Sequence, residues 1–222
     1  MPVAQPSVAE LVGAALQRGA DSLWLAMLPE DPVYGKIPAE QRRPAVEQAA
    51  AFGQRAARDL RARLGTADPA ALAERLGVRM EWSEAPYVFG KIVQTSTYTQ
   101  RLRTVTIYAG SVAEMNRFLA TEDLGPILGL ADVGPVYLAH ELFHHLEEDS
   151  LGRAANLVRV TTLKLGPLVR RSGIGQLSEI AADAFAQALL GLSFAPRLLD
   201  YLTVWIHNPE AGRRRLRALT GL

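Results

Sequence analysis

Apolar residues recur at intervals of three and four along most of this chain, the spacing that places them on one face of an α-helix. We predict helices over residues 7–28, 39–64, 69–77, 111–120, 136–148, 178–190, 196–206 and 210–219. Shorter runs rich in β-branched and aromatic residues predict strands over 78–82, 87–95 and 102–109, with 98–101 as a hairpin connection. The pattern therefore predicts an α+β fold that is mostly helical, with a small β-sheet.

Capping residues mark where some of these helices begin and end. Ser7 and Glu10 have the spacing of a capping box, and the proline-rich segment 29–38 predicts a loop after the first helix. Asp68 precedes a proline, the order typical of a helix start, and Gly77 ends that short helix.

Composition and charge narrow the classes of protein. Hydrophobic residues make up 49% of the 222 residues and charged residues 21%, which is a globular composition. The net charge of +1 gives no general attraction to nucleic acid or to an anionic membrane. The arginines within 55–63 are diluted by acidic residues and lack interleaved aromatics, as on a solvated helix face. We therefore expect neither nucleic acid nor a membrane as a direct partner.

The absence of cysteine excludes disulfides and thiolate ligands, and it leaves any metal site to histidine and carboxylate. No run approaches the roughly 18 apolar residues of a membrane span, and the N-terminal residues lack the pattern of a signal peptide. The expected location is the cytoplasm.

The helix over 136–148 contains the HExxH pattern, with His140, Glu141 and His144. Residues four apart share a helix face, so the two imidazoles can reach one metal ion while Glu141, about 100° around the helix, lies beside it. This arrangement is typical of zinc hydrolases, in which a carboxylate takes a proton from an activated water. Short motifs also arise by chance, but three of the four histidines of the chain fall within 140–145.

The third ligand of a catalytic zinc has a candidate on the alanine-rich helix over 178–190. Glu179 and Asp183 are four residues apart and share a face of this helix. We predict Glu179 as the ligand and Asp183 as the acceptor that holds the N–H of a ligand histidine. The alternative is that both acids belong to the solvated first turn of an ordinary helix.

The two motifs together resemble those of the ImmA/IrrE family of zinc metallopeptidases. HELFHH followed by ExxADxFAxxLL is similar to the family's pair HExxH and ExxAxxFA. Weaker similarity extends over 71–78, 103–108 and the arginine-rich C-terminal helix. The resemblance covers a metallopeptidase-like domain at 69–222, and it leaves 1–68 as an N-terminal helical extension.

The resemblance implies a gluzincin-like site with His140, His144 and Glu179 on zinc and Glu141 as catalytic base. It further implies a small sheet packed on the HExxH helix. Family members are bacterial or phage proteins of the cytoplasm that cleave a DNA-binding repressor and thereby regulate stress response or mobile elements. The long segment 110–134 departs from the family pattern, which puts the identity of the protein substrate in doubt.

Several alternatives stay open. The metal site could belong to a non-catalytic zinc module that acts by protein–protein contact, although an intact Glu141 favours catalysis, or to a hydrolase of small molecules. Mn²⁺ and Fe²⁺ accept the same ligands as Zn²⁺. The segment 95–106 is either an edge strand that binds an extended peptide or a solvent-facing hairpin. The segment 121–134 is either a flexible lid or a tolerated insertion, and 153–172 has no clear pattern.

Other histidines and tyrosines are weaker candidates. His207 is a candidate oxyanion stabiliser, and the alternative is a charge partner at a helix C-terminus. His145 points about 100° away from His144 and should not bind the same metal. Four tyrosines compete with His207 for the oxyanion role: Tyr87, Tyr98, Tyr137 and Tyr201.

Overall fold

A computed structural model describes residues 5–90, 92–166 and 168–222, and in these ranges the fold is α+β and predominantly helical. The α-helices of this part of the chain are α1 (Val8–Arg18), α2 (Ala20–Leu25), α3 (Ala39–Leu64), α4 (Pro69–Arg75), α5 (Ala109–Thr121), α6 (Leu124–Leu128), α7 (Gly134–Leu146), α8 (Gln176–Leu190), α9 (Arg197–His207) and α10 (Pro209–Thr220). The strands are β1 (Arg79–Ser83), β2 (Val88–Phe89), β3 (Ile92–Val93), β4 (Ser96–Thr99), β5 (Thr104–Tyr108), β6 (Arg159–Leu165) and β7 (Leu168–Gly173). None of the helices in these ranges is both long and apolar enough to cross a membrane.

The longest helix, α3, packs along α8, and α7 packs on α8 as well. Gly53 lies at the closest approach of α3 and α8, where an added Cβ would be 2.0 Å from the carbonyl oxygen of Ala181. The two helices therefore approach closely because α3 has a glycine and α8 has alanines at the contact. One continuous hydrophobic core includes residues from both sides of residue 68. The division into 1–68 and 69–222 stays a prediction.

The small sheet has the strand order β1-β5-β4, with β1 parallel and β4 antiparallel to β5. Val105 and Ile107 of β5 are buried, and β4 and β5 both contact α7. This confirms the predicted α+β class with a small sheet packed on the HExxH helix. Strand β4 lies at an edge of the sheet and next to that helix.

The predicted helix starts are largely correct. Ser7 and Glu10 form a reciprocal capping box, and the side chain of Asp68 accepts a hydrogen bond from the N–H of Ala70. The single helix predicted over 7–28 is wrong, because Gly19 has φ 76° and separates α1 from α2. A backbone with this φ cannot continue a right-handed helix.

Two other segments differ from prediction, and a third, 153–172, had no clear pattern in the sequence. The residues predicted as a hairpin connection, 98–101, include the end of strand β4, and the turn to β5 ends at Arg103 with φ 47°. The segment 121–134 contains α6, whose Leu124 and Leu128 are buried and which contacts α1 and α5. The segment 153–172 contains most of a β-hairpin made of β6 and β7.

Candidate metal centre

Helices α7 and α8 bring three metal-binding side chains together. His140 and His144 lie one turn apart on α7, with their Nε2 atoms 3.2 Å apart. The carboxylate of Glu179, in the first turn of α8, lies 3.3 Å from His140 Nε2 and 3.7 Å from His144 Nε2. One ligand atom from each residue lies within 4.8 Å of the other two, so the group could hold a metal ion.

The other nitrogen of each histidine faces a buried carboxylate. His140 Nδ1 is 3.4 Å from Asp183 Oδ1, and His144 Nδ1 is 3.2 Å from Glu147 Oε2. A carboxylate can only accept a hydrogen bond, so each Nδ1 carries the proton and each Nε2 is left to bind a metal. Asp183 thus lies behind His140, and its role as the acceptor that holds a ligand histidine stays a prediction.

Glu147 was not singled out from the sequence. Its carboxylate also accepts hydrogen bonds from the N–H of Ala154, at 2.6 Å, and from the hydroxyl of Ser178, at 2.9 Å. It therefore links the end of α7, the following turn and α8. The available signal was its position three residues after His144, which places both residues on one helix face.

Glu141 lies on α7 beside the cluster and is largely buried. The hydroxyl of Ser96, the first residue of β4, donates a hydrogen bond of 2.8 Å to Glu141 Oε1. Glu141 faces a cleft of about 360 Å³ that it shares with six other residues. These are Tyr98, Gln100, His144, Glu147, Glu148 and Glu179.

Opposite charges stabilise one another within the cluster. Burial lowers the pKa of His140, but hydrogen bonds to Asp183 and Glu179 outweigh this effect and raise the pKa well above its usual value. Burial likewise lowers the pKa of His144, and its bonds to Glu147 and Glu179 raise it to about 9. Burial alone would raise the pKa of Glu179, yet the two histidines hold it well below its usual range. The carboxylates therefore favour positive charge at this position, whether from protons or from a metal ion.

His145 lies outside the cluster and is buried between α7 and the sheet. Its Nδ1 is 2.8 Å from the hydroxyl of Tyr98, and its Nε2 is 3.5 Å from a guanidinium nitrogen of Arg103. Burial and the positive charge of Arg103 lower the pKa of His145. A neutral His145 therefore links β4 to α7.

His207 pairs with Glu114 of α5 and not with a residue of the metal centre, since its Nε2 is 3.3 Å from Glu114 Oε2. It lines a larger groove of about 780 Å³, together with Thr95 and residues of α9. Of the four candidate tyrosines, Tyr98 lines the cleft that contains Glu141, whereas Tyr201 is buried beneath Arg197. The oxyanion role of His207 stays a prediction.

Residues from the N-terminal segment support the site. Asp31 is buried and accepts a hydrogen bond of 2.9 Å from the N–H of Gln176, at the start of α8. Glu30 pairs with the guanidinium of Arg197, and the N–H of Arg197 donates to Asp183 at 2.8 Å. The helix that carries Glu179 and the carboxylate behind His140 are thus both fixed by contacts beyond α7 and α8.

Comparisons of the chain with protein-family models, with curated proteins and with solved structures found no match. The resemblance to the ImmA/IrrE metallopeptidases thus rests on the two motifs, and membership of that family stays a prediction.

Proposed function

We propose that this chain is a zinc-dependent peptidase of the ImmA/IrrE type that cleaves a regulatory protein such as a DNA-binding repressor. The observation that carries the proposal is the convergence of His140, His144 and Glu179 within 4.8 Å, with Glu141 in the cleft that His144 and Glu179 also line. A structural metal site has no need of a carboxylate placed beside it, so Glu141 favours catalysis over a purely structural role.

The donor set fits zinc. Two imidazole nitrogens and one carboxylate oxygen are ligands of catalytic zinc sites, which keep a further position open. Both imidazoles are already oriented by Asp183 and Glu147, as ligand histidines usually are. Held by His140, His144 and Glu179, the ion would act as a Lewis acid toward water and the scissile carbonyl.

Glu141 would serve first as a general base and then as a general acid. Its carboxylate accepts a proton from water as the new oxygen–carbon bond forms at the scissile carbonyl. It then delivers that proton to the amide nitrogen as the carbon–nitrogen bond breaks, which yields a carboxylic acid and an amine. The hydroxyl of Ser96 donates a hydrogen bond of 2.8 Å to the Glu141 carboxylate and so holds it next to β4.

The surroundings of β4 favour a peptide over a small molecule as the substrate. One side of β4 pairs with β5, and β4 is an edge strand of the sheet. An extended peptide can pair with such an edge through its backbone. Tyr98 of β4 lines the cleft that contains Glu141, and Thr95 lines the larger groove. A peptide bound along β4 would therefore pass the metal centre. The cleft at Tyr98 and the larger groove at Thr95 would both have room for its side chains.

A library of internally quenched peptides tests the proposal. We expect the zinc-loaded wild type to cleave members of the library, and Glu141→Gln to cleave them slower by roughly 10²–10⁴-fold, the usual contribution of a general base. The variant should keep its zinc, because Glu141 is not a ligand. Equal rates of cleavage by the two proteins would contradict the role assigned to Glu141. No cleavage by the zinc-loaded wild type would instead favour the non-catalytic zinc module.

A further inference from the structure

The β6–β7 hairpin extends from the fold as a separate two-stranded ribbon. Its base is fixed, because Val160 of β6 is buried, and so is Ile174, which comes directly after β7. The N–H of Ile174 also donates a hydrogen bond of 2.8 Å to the carbonyl of Ala155. From Gly173 at this base, the six residues of β7 reach about 20 Å, at the roughly 3.3 Å per residue of a strand. The apex of the ribbon therefore lies well away from its anchored base.

The apex of this hairpin is apolar and exposed. Leu165 and Leu168 are cross-strand partners there, with relative exposures of 61% and 62%. Leu163 and Val169, further along the two strands, are also exposed. Leucine side chains exposed to this extent at the end of a projecting element are typical of a surface that binds something apolar.

All the charged side chains on the two strands behind the apex are positive. Arg159, Lys164, Arg170 and Arg171 are all exposed, and the stretch from 159 to 173 contains no acidic residue. Among the residues that the structure describes, none of these four side chains lies in an ion pair. The whole chain has a net charge of only +1, so the hairpin is a local concentration of positive charge.

The distribution of these side chains selects the kind of partner. Leu163 pairs with Arg170 and Lys164 with Val169, so each face of the ribbon mixes one apolar and one basic residue at this level. Leu163, Leu165 and Leu168 share one face with Arg170, and Val169 shares the other with Lys164 and Arg171. Basic side chains therefore lie beside the apolar ones on both faces, whereas charged residues are depleted at the core of a protein interface. Only the apex is purely apolar, and basic residues follow it on both strands. At the surface of an anionic bilayer, acyl chains lie beneath negatively charged headgroups. An apolar apex could reach the acyl chains while the basic residues behind it meet the headgroups.

We propose that the hairpin apex, Leu165 and Leu168, inserts into the surface of an anionic phospholipid bilayer while the basic side chains bind the headgroups. The sequence predicted no membrane partner from the net charge of +1 and the lack of a membrane span, and neither property reflects the local charge of this hairpin. The proposed association is peripheral and independent of the peptidase activity.

Flotation of the full chain with phospholipid vesicles tests this proposal. We expect roughly tenfold or more tighter binding to vesicles of equal phosphatidylcholine and phosphatidylglycerol than to phosphatidylcholine alone, because each basic residue near the surface favours anionic lipid. The double variant Leu165→Ser/Leu168→Ser, which keeps the charges, and Arg170→Glu/Arg171→Glu, which keeps the leucines, should each lose most of this binding.

Matched substitutions on other surfaces provide the controls. Ile127→Ser/Leu222→Ser removes exposed apolar residues, and Arg61→Glu/Arg63→Glu reverses charges on α3; both should bind like the wild type. Circular dichroism and metal content establish that every variant is folded. No preference for anionic vesicles, or a preference that both hairpin variants retain, would overturn the proposal. A lipid-free dimer that the leucine variant abolishes would also overturn it, since the apex would then bind a second copy of the chain.

Discussion

The hydroxyl of Ser96, on the edge strand β4, donates a hydrogen bond of 2.8 Å to the carboxylate of Glu141 on α7. The strand proposed to bind substrate and the residue proposed to move the proton are thus directly joined. Hydrogen bonds to charged groups contribute about 1.5–3 kcal/mol, so the loss of this one should be measurable.

Ser96→Ala should lower kcat for peptide hydrolysis by roughly tenfold, because about 1.4 kcal/mol corresponds to one factor of ten and part of the hydrogen-bond energy is recovered from water. The metal content should not change, and Ser96→Thr should retain most of the activity because it keeps a hydroxyl donor. Steady-state kinetics and elemental analysis on the same samples provide the check. Loss of metal from Ser96→Ala would show that Ser96 supports the site as a whole and does not act through Glu141.

Glu147→Gln should weaken zinc binding by roughly 10–100-fold, the usual effect of removing a group that orients a ligand histidine. A glutamine amide is neutral and has one acceptor oxygen, so it cannot accept hydrogen bonds both from Nδ1–H of His144 and from Ala154 and Ser178. Competition with a chromogenic chelator measures the affinity. Glu148→Gln is the matched control, because Glu148 pairs with Arg153 and Gln100. Equal losses in both variants would contradict the role assigned to Glu147.

Zinc binding near pH 7 should release protons, because histidines must be neutral to bind a metal. Without metal, hydrogen bonds to carboxylates raise the pKa of His140 well above its usual value and that of His144 to about 9, so protons compete with zinc at pH 7. Apparent affinity should therefore rise with pH up to about 9 and fall as the pH is lowered. Calorimetry in two buffers of different ionisation enthalpy counts the protons, and release of none would contradict the paired arrangement.

Gly53→Ala should destabilise the fold by about 1–3 kcal/mol, the usual cost of overpacking a well-packed contact. The added Cβ would lie 2.0 Å from the carbonyl oxygen of Ala181, so α3 and α8 would have to separate. Gly13→Ala is the control, since a Cβ there meets nothing within 4 Å and α1 is helical around it. That variant should gain roughly 0.5–1 kcal/mol from the better helix former. Urea unfolding measures both, and equal effects would contradict the close packing.

Local periodicity accounts for what the sequence predicted well. Residues four apart on a helix share a face whatever the rest of the fold does, so His140 with His144 and Glu179 with Asp183 could be paired before their helices were placed. Ser7 and Asp68 cap helices through contacts within three residues, which are equally local. The meeting of the two helices was inferred from chemistry, because buried acids need a cation.

Contacts between distant parts of the chain account for what the sequence did not predict. Asp31 accepts its hydrogen bond from Gln176 across 145 residues, and no local pattern indicates this contact. Helix α6 was predicted as a loop because it contains glycine and proline, yet burial of Leu124 and Leu128 outweighs that propensity. The β6–β7 hairpin was missed because its apolar residues near the apex are exposed and lie on both faces, Leu163 on one and Val169 on the other. Its two strands therefore lack the shared alternation of a sheet with one buried face.

Elemental analysis of the purified protein tests the metal centre most directly. We predict about one zinc ion per chain in the wild type and in Glu141→Gln, and little or none in His144→Ala and Glu179→Ala, because three protein ligands are typical of a catalytic zinc. All four proteins are compared after the same dialysis, with circular dichroism to establish that each is folded. A wild type without metal that takes up no zinc near neutral pH, or a Glu179→Ala variant that keeps its zinc, would contradict the proposed three-ligand site.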